Sequence, residues 1–283
     1  ALFFHKIQCL ASASTIIAAL GVIAAIIVAA VLLYRIQGND EVDLEAIAPT
    51  PEVVELVIDE LQVPELEIPT PAVVEAPPSP QQPAPERIKL PDLDDSDGFV
   101  RERMQQVSAH AHFAQWLTAD DLLRRSASYL DGLSRGVVLS KIFPLSAPKD
   151  KFTTHKDGQT IWLNAGNYER YDDTIDALMS LDTVAAAKMF HLARPLLEAS
   201  FSEMGYSPRQ MEGIILQAID RVLATPIIVE PIELTHESVL YEFADPELEG
   251  LLPVQKQVLR TGPENTQKLQ QQALALKTAL LNP

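Results

Sequence analysis

From Ala11 to Tyr34 the chain runs for 24 residues, ASASTIIAALGVIAAIIVAAVLLY, without a charge or a proline. At about 1.5 Å of rise per residue this makes a helix of roughly 36 Å, enough to cross a hydrocarbon core of about 30 Å with some tilt. A cleaved signal peptide would have a shorter apolar core, of about 7–15 residues, followed by a cleavage site. A buried soluble helix would need an apolar partner segment of similar length, and the chain has none. The expectation is one transmembrane helix over 11–34 behind a short head, 1–10, with Tyr34 as an interfacial aromatic. His5 and Lys6 before the run and Arg35 after it nearly balance the flanking charge. The short head, and the loss of basic residues after Arg35, favour an inside N-terminus. The opposite topology is the alternative. Cys9, the only cysteine, precedes the run and reads as an incidental thiol at the membrane edge.

Behind the span the composition changes twice. Residues 36–100 carry 16 acidic residues against two basic ones, Arg87 and Lys89, and hold 11 of the 21 prolines. Residues 101–283 carry 23 acidic and 18 basic residues. The net charge of −17 therefore belongs mainly to the middle segment. Such a segment repels phosphate backbones, and no Lys/Arg stripe stands out elsewhere, so nucleic acid is not an expected partner. Pro77-Pro78-Ser79-Pro80 and Pro83-Ala84-Pro85 exclude helix and favour polyproline II. The reading is a disordered acidic tether over 35–90, spanning roughly 45 Å as a coil and about 180 Å fully extended as polyproline II. Within it Val53, Val54, Leu56, Val57, Ile58 and Leu61 form an apolar stretch, either incidental to the tether or a short helix or linear motif for a partner groove.

From residue 91 to 283 the pattern becomes that of a soluble, mainly helical domain. The predicted class is mainly α (α+β). Asp97-Gly98 precedes a helix through Phe99, Met104 and Val107. Thr118 is the expected cap of a helix through Leu122, Tyr129 and Leu133, with Asp120 and Asp121 in its first turn. Asn164–Leu181 and Thr183–Met204 read as two more helices, with Pro195 expected to kink or divide the second and Gly205 to end it. Ser207, Pro208 and Gln210 spell an N-cap, a first-turn proline and a capping box. A final helix is predicted from about Glu264 to Leu281. Asp157-Gly158 predicts a hairpin between residues 152–155 and 159–163, with Trp162 packing on the helices. Residues 227–242 add short strands, which Pro231 should confine to an edge.

No pattern assigns chemistry. His110 and His112 lie two apart, which does not place them on one helix face, and no further ligands accompany them. His191 sits among Met189, Phe190, Leu192 and Leu196 and reads as a core histidine. Thr235-His236-Glu237-Ser238 groups a hydroxyl, an imidazole and a carboxylate, but sequence neighbours rarely form a triad. Tyr168, Tyr171, Asp172, Asp173 and Asp176 read as a solvated helix start. No glycine-rich phosphate loop exists. No catalytic, cofactor-binding or metal-binding residue is therefore assigned. The densest polar and aromatic stretch, 239–265, supplies a candidate partner surface: Tyr241, Phe243, Gln255, Lys256, Arg260 and Asn265.

Several of these segments carry a resemblance. They are LPDLDDSD at 90–97, Trp116-Leu117, Asp121-Leu-Leu-Arg-Arg125, Tyr168-Glu-Arg-Tyr171 and Ile219-Asp with Ala224-Thr-Pro226. To them are added Tyr241 with Ala244-Asp-Pro-Glu-Leu-Glu249, Pro253-Val-Gln-Lys-Gln257, Leu259-Arg260 and Gly262-Pro-Glu-Asn265. Together they resemble a proteobacterial single-pass membrane protein family built on a domain of unknown function. Thr261 stands where that family's pattern expects Met. The resemblance covers roughly residues 90–280 and implies an anchor, a Pro/Glu-rich linker and a C-terminal domain in a bacterial inner-membrane setting. It implies no activity. The expectation is a non-enzymatic interaction or scaffolding module, held by the lipid bilayer through 11–34 and facing the periplasm toward an envelope protein partner. The alternative is a periplasmic hydrolase whose carboxylates and histidines are scattered along the chain.

Overall fold

A computed structural model describes residues 65–71, 89–108, 110–111, 115, 117–139, 142, 150–236 and 240–283. The span over 11–34, the apolar stretch at 53–61, His112 and Trp116 lie outside the described residues. Among the described residues no helix is long and apolar enough to cross a membrane.

A 3-10 turn, Leu93–Asp95, leads into α1 (Ser96–Val107). Then come α2 (Leu122–Ser134), the strands β1 (Thr154–Asp157) and β2 (Thr160–Leu163), and a 3-10 helix, Ala165–Tyr171. The chain continues through α3 (Asp172–Met179), α4 (Thr183–Glu203) and α5 (Pro208–Leu223). The strands β3 (Glu233–Thr235) and β4 (Glu242–Phe243) precede α6 (Pro246–Glu249), α7 (Pro253–Leu259) and α8 (Pro263–Leu281). The class is mainly helical with a small antiparallel sheet, ordered β1-β2-β3-β4.

Helix packing forms a ring: α2 lies on α5, α5 on α8, α8 on α4, and α4 on α2. Helix α8 also touches α3 and α7. Apolar residues recurring at helical spacing create this arrangement. Leu123, Ala127 and Leu130 of α2, Phe190, Leu197 and Phe201 of α4, Met211, Ile215 and Ala218 of α5, and Leu276 and Leu280 of α8 all fall in one core cluster. A second, smaller cluster of Leu163, Ile232, Leu234, Phe243 and Leu259 lies under the sheet.

Local signals set the cleanest boundaries. Ser207 Oγ accepts the Gln210 N–H at 3.3 Å, while Gln210 Oε1 accepts the Ser207 N–H at 2.9 Å, closing the capping box at the start of α5. Gly205, at φ 89°, turns the chain out of α4, and the Tyr206 N–H returns to the Phe201 carbonyl at 3.0 Å.

Elsewhere distant parts of the chain override the local pattern. Helix α2 is not capped by Thr118, whose hydroxyl donates to the Gln115 carbonyl at 2.8 Å. The Asp97 carboxylate of α1 instead accepts the N–H groups of Asp121 and Leu122, both at 2.8 Å. Asn164–Leu181 is not one helix: β2 ends at Leu163, a 3-10 helix follows, and α3 begins only at Asp172. Asn167 breaks the pattern there by pairing with Thr153, its amide donating to the Thr153 carbonyl at 2.6 Å. Pro195 does not divide α4, which runs continuously over 21 residues. Strand β3 is internal, paired with both β2 and β4, because Pro231 lies just ahead of it where no ladder donor is needed.

The segment 65–71 falls within the range expected to be tether, yet Ile68 is fully buried in the helical core cluster.

Candidate functional site

The six residues singled out from 239–265 take different positions. Phe243 is buried in the cluster under the sheet. The Tyr241 ring is half-buried, 4.5 Å from the His236 ring and 5.7 Å from the Phe152 ring. Gln255 is buried at the third position of α7; its Oε1 accepts the Leu252 N–H at 3.2 Å and its amide donates to the Ala224 carbonyl at 3.2 Å. Lys256 donates to the Glu249 carbonyl at 2.9 Å and ion-pairs with the Glu249 carboxylate. Burial alone would raise the Glu249 carboxyl; the Lys256 ammonium and the Phe243 N–H together hold it below the ordinary range. Burial lowers the Arg260 guanidinium, opposed by Tyr171 and Glu249. Asn265 is buried and donates to Asp172 Oδ1 at 2.9 Å and to the Thr261 carbonyl at 3.1 Å. Thus Gln255, Lys256 and Asn265 spend their polar atoms tying α6, α7 and α8 to neighbouring chain. Tyr241 is the aromatic at the surface, beside Leu240, which is 61% exposed.

The candidate histidines differ in the same way. Both ring nitrogens of His191 are buried without a hydrogen-bond partner, and burial, reinforced by Arg194, lowers its pKa. Among the described residues no group of His, Cys, Asp and Glu is placed to hold a metal ion.

A site that the motif search did not find lies between α4 and α5. Arg194 of α4 and Glu212 of α5 form an ion pair. The Glu212 side chain is 1% exposed, so its charge depends on its partners in a region of low dielectric. Its second oxygen, Oε2, accepts the Ile68 N–H at 2.5 Å. Arg194 Nη1 donates to the Ile68 carbonyl at 3.2 Å and to Thr70 Oγ1 at 3.3 Å. Arg194 Nε is oriented by Glu198 at 3.0 Å, and the guanidinium lies 5.9 Å from the centroid of the Phe190 ring. In an extended chain the N–H and C=O of one residue point to the same side. The carboxylate and guanidinium therefore supply what a neighbouring strand would supply: an acceptor for the N–H and a donor for the carbonyl. Pro69 disfavours helical backbone at Ile68 and presents it extended. At the rim, Glu67 and Arg209 approach to 3.9 Å, both exposed.

Sequence reasoning missed this clamp because its parts are 126 and 144 residues from Ile68. A trace was present: Glu212 is a carboxylate amid Met211, Gly213, Ile214 and Ile215, where an amphipathic helix should be apolar.

The profile of a family described as a protein of unknown function (DUF3014) matches residues 122–277. That is more than half of the chain. The chain belongs to the DUF3014 family. The matched segment begins with α2 and ends inside α8, so it contains the Arg194–Glu212 clamp but not the segment 65–71 that the clamp holds. No curated protein and no solved structure matches the chain.

Proposed function

We propose that this chain is a membrane-tethered, envelope-facing interaction module, non-enzymatic, whose DUF3014 domain grips an extended segment of polypeptide. The observation that carries this reading is the two-headed clamp on Ile68. Main-chain groups read on both N–H and C=O, with a buried side chain for specificity, are the elements of strand-like peptide recognition. A carboxylate held almost fully buried is costly to a fold that only needs packing; here it has a ligand-like partner.

The test uses the full chain in detergent with Ile68→Asp, which frees the clamp, and a labelled peptide of residues 65–71. Saturable binding is expected, and it should be lost when Arg194→Met is added. Absence of binding to the Ile68→Asp chain would overturn the reading.

The membrane setting rests on the uncharged run at 11–34 and on the family resemblance. An inner-membrane protein with its N-terminus inside and its domain in the periplasm should lose that domain to protease added to spheroplasts. Protection of the domain would reverse the orientation.

A further inference from the structure

Within the segment 65–71 only Ile68 is buried, and the residues on either side of it are exposed. The segment is therefore held to its own domain at one point. We propose that Ile68 and the Arg194–Glu212 pair form a releasable latch, which sets how much chain lies between the domain and everything N-terminal to Glu65. The latch follows from the contacts of Ile68 within its own chain and stands apart from the capture of a foreign peptide.

Three observations support it. First, among the described residues the next contacts with the helical core after Ile68 are made by Leu90 and Leu93. Docking of Ile68 therefore takes residues 69–90 out of the path that joins the N-terminal chain to the domain. A pull from the N-terminal side reaches the domain at Ile68 before it reaches Leu90. Second, the attachment is narrow. Ile68 buries its side chain, gives its N–H to Glu212 at 2.5 Å and accepts from Arg194 at 3.2 Å. Around it stand the Thr70 hydroxyl, 3.3 Å from Arg194, and an exposed Glu67–Arg209 pair at 3.9 Å, which adds little. Third, the clamp keeps its own partners when Ile68 leaves. Arg194 remains paired with Glu212 and Glu198, and α4 and α5 pack on each other directly. Release thus does not strand the buried Glu212 carboxylate without a counter-ion. Latched, the chain leaves the domain at Glu65; released, it leaves near Leu90. The difference is roughly 75 Å of fully extended chain. In the membrane-tethered reading above, release lets the domain stand farther from the bilayer. That consequence rests on the anchor; the latch itself does not.

The test pulls the full chain, in detergent, in an optical trap. In a Cys9→Ser background, Asn39→Cys and Pro283→Cys supply the two attachment points. A reversible lengthening of up to roughly 75 Å is expected at forces below those that unfold the helices. Ile68→Asp should abolish that step, because a carboxylate does not enter the apolar core, while the later unfolding of the helices shows that the variant has folded. Native-state amide exchange on the unsubstituted chain gives a second measurement that depends on no variant. The Ile68 N–H should exchange at least about a hundredfold faster than the N–H of Ile215 in α5, through a local opening that low denaturant leaves unchanged. Absence of a step before unfolding, or a step that persists in Ile68→Asp, overturns the latch. So does exchange of the Ile68 N–H at the rate of Ile215, which would make residues 65–71 a permanent part of the core.

Discussion

Arg194 and Glu212 make a pair in which each side chain depends on the other. Removing the guanidinium leaves a carboxylate 1% exposed with only the Ile68 N–H for company. Arg194→Met should therefore destabilise the chain by about 3–5 kcal/mol, read as a lower urea midpoint. Combining it with Glu212→Leu should recover much of that loss, because two apolar groups of similar volume need no partners. Gly262 shows a different constraint at the same scale. Its φ is 89°, and a Cβ there would stand 2.5 Å from the Tyr168 ring. The left-handed backbone is one reason for a glycine here, and the ring pressed against that backbone is the second. Gly262→Ala should lower stability by at least about 2 kcal/mol, from strain and the displaced ring together, measured by thermal melting. Thr261, where Met was expected from the family's pattern, is fully buried and bonds its hydroxyl to the Val258 carbonyl at 2.7 Å, so the polar residue is satisfied within its own turn.

At the scale of elements, α4 couples packing to pH. His191 has both ring nitrogens buried without partners, and burial with Arg194 nearby lowers its pKa below the ordinary value of 6.5. The unfolded chain then binds a proton that the folded chain refuses. Stability is fully present above about pH 6.5 and is lost as pH falls from there toward the folded value. The urea midpoint should decline over that range, and His191→Leu should flatten the decline. The carboxylates held low, such as Glu249, contribute their loss only at more acidic pH, below their ordinary value of 4.5. The element boundaries also show how legibility depends on distance in sequence. The cap of α5 was readable because Ser207 and Gln210 are three residues apart and complete the motif between them. The cap of α2 was not, because its acceptor, Asp97, lies 24 and 25 residues upstream on another helix. Likewise the Asn164–Leu181 pattern gave no warning that Asn167 would bond across to Thr153.

For the whole molecule, the Arg194–Glu212 clamp binds a piece of the expected tether, residues 65–71, to the helical core. Ile68→Ala should cost about 2–4 kcal/mol of stability, the range for truncating a buried aliphatic side chain, and a result near zero would mean that residues 65–71 are not docked. The loss should also be non-additive with Arg194→Met, since both act on the same contacts.

What the sequence determined by itself is what local chemistry controls. The mainly helical class follows from apolar spacing, the hairpin from Gly158, which turns the chain with Gln159 one residue beyond the expected Asp157-Gly158 pair, and the ends of α4 and α5 from Gly205 and the capping box. The expectation of an anchor comes from the same kind of reading, a run of residues with no charge to hydrate. What only the tertiary structure decided depends on groups brought together across the chain. Asp97 finds α2, Tyr168 finds Gly262, and Arg194 and Glu212 find Ile68. A buried carboxylate and a β-branched residue before a proline mean little apart. Together they form a site because folding places an acceptor and a donor on one side of an extended residue, and no periodicity or spacing within a single segment encodes that meeting.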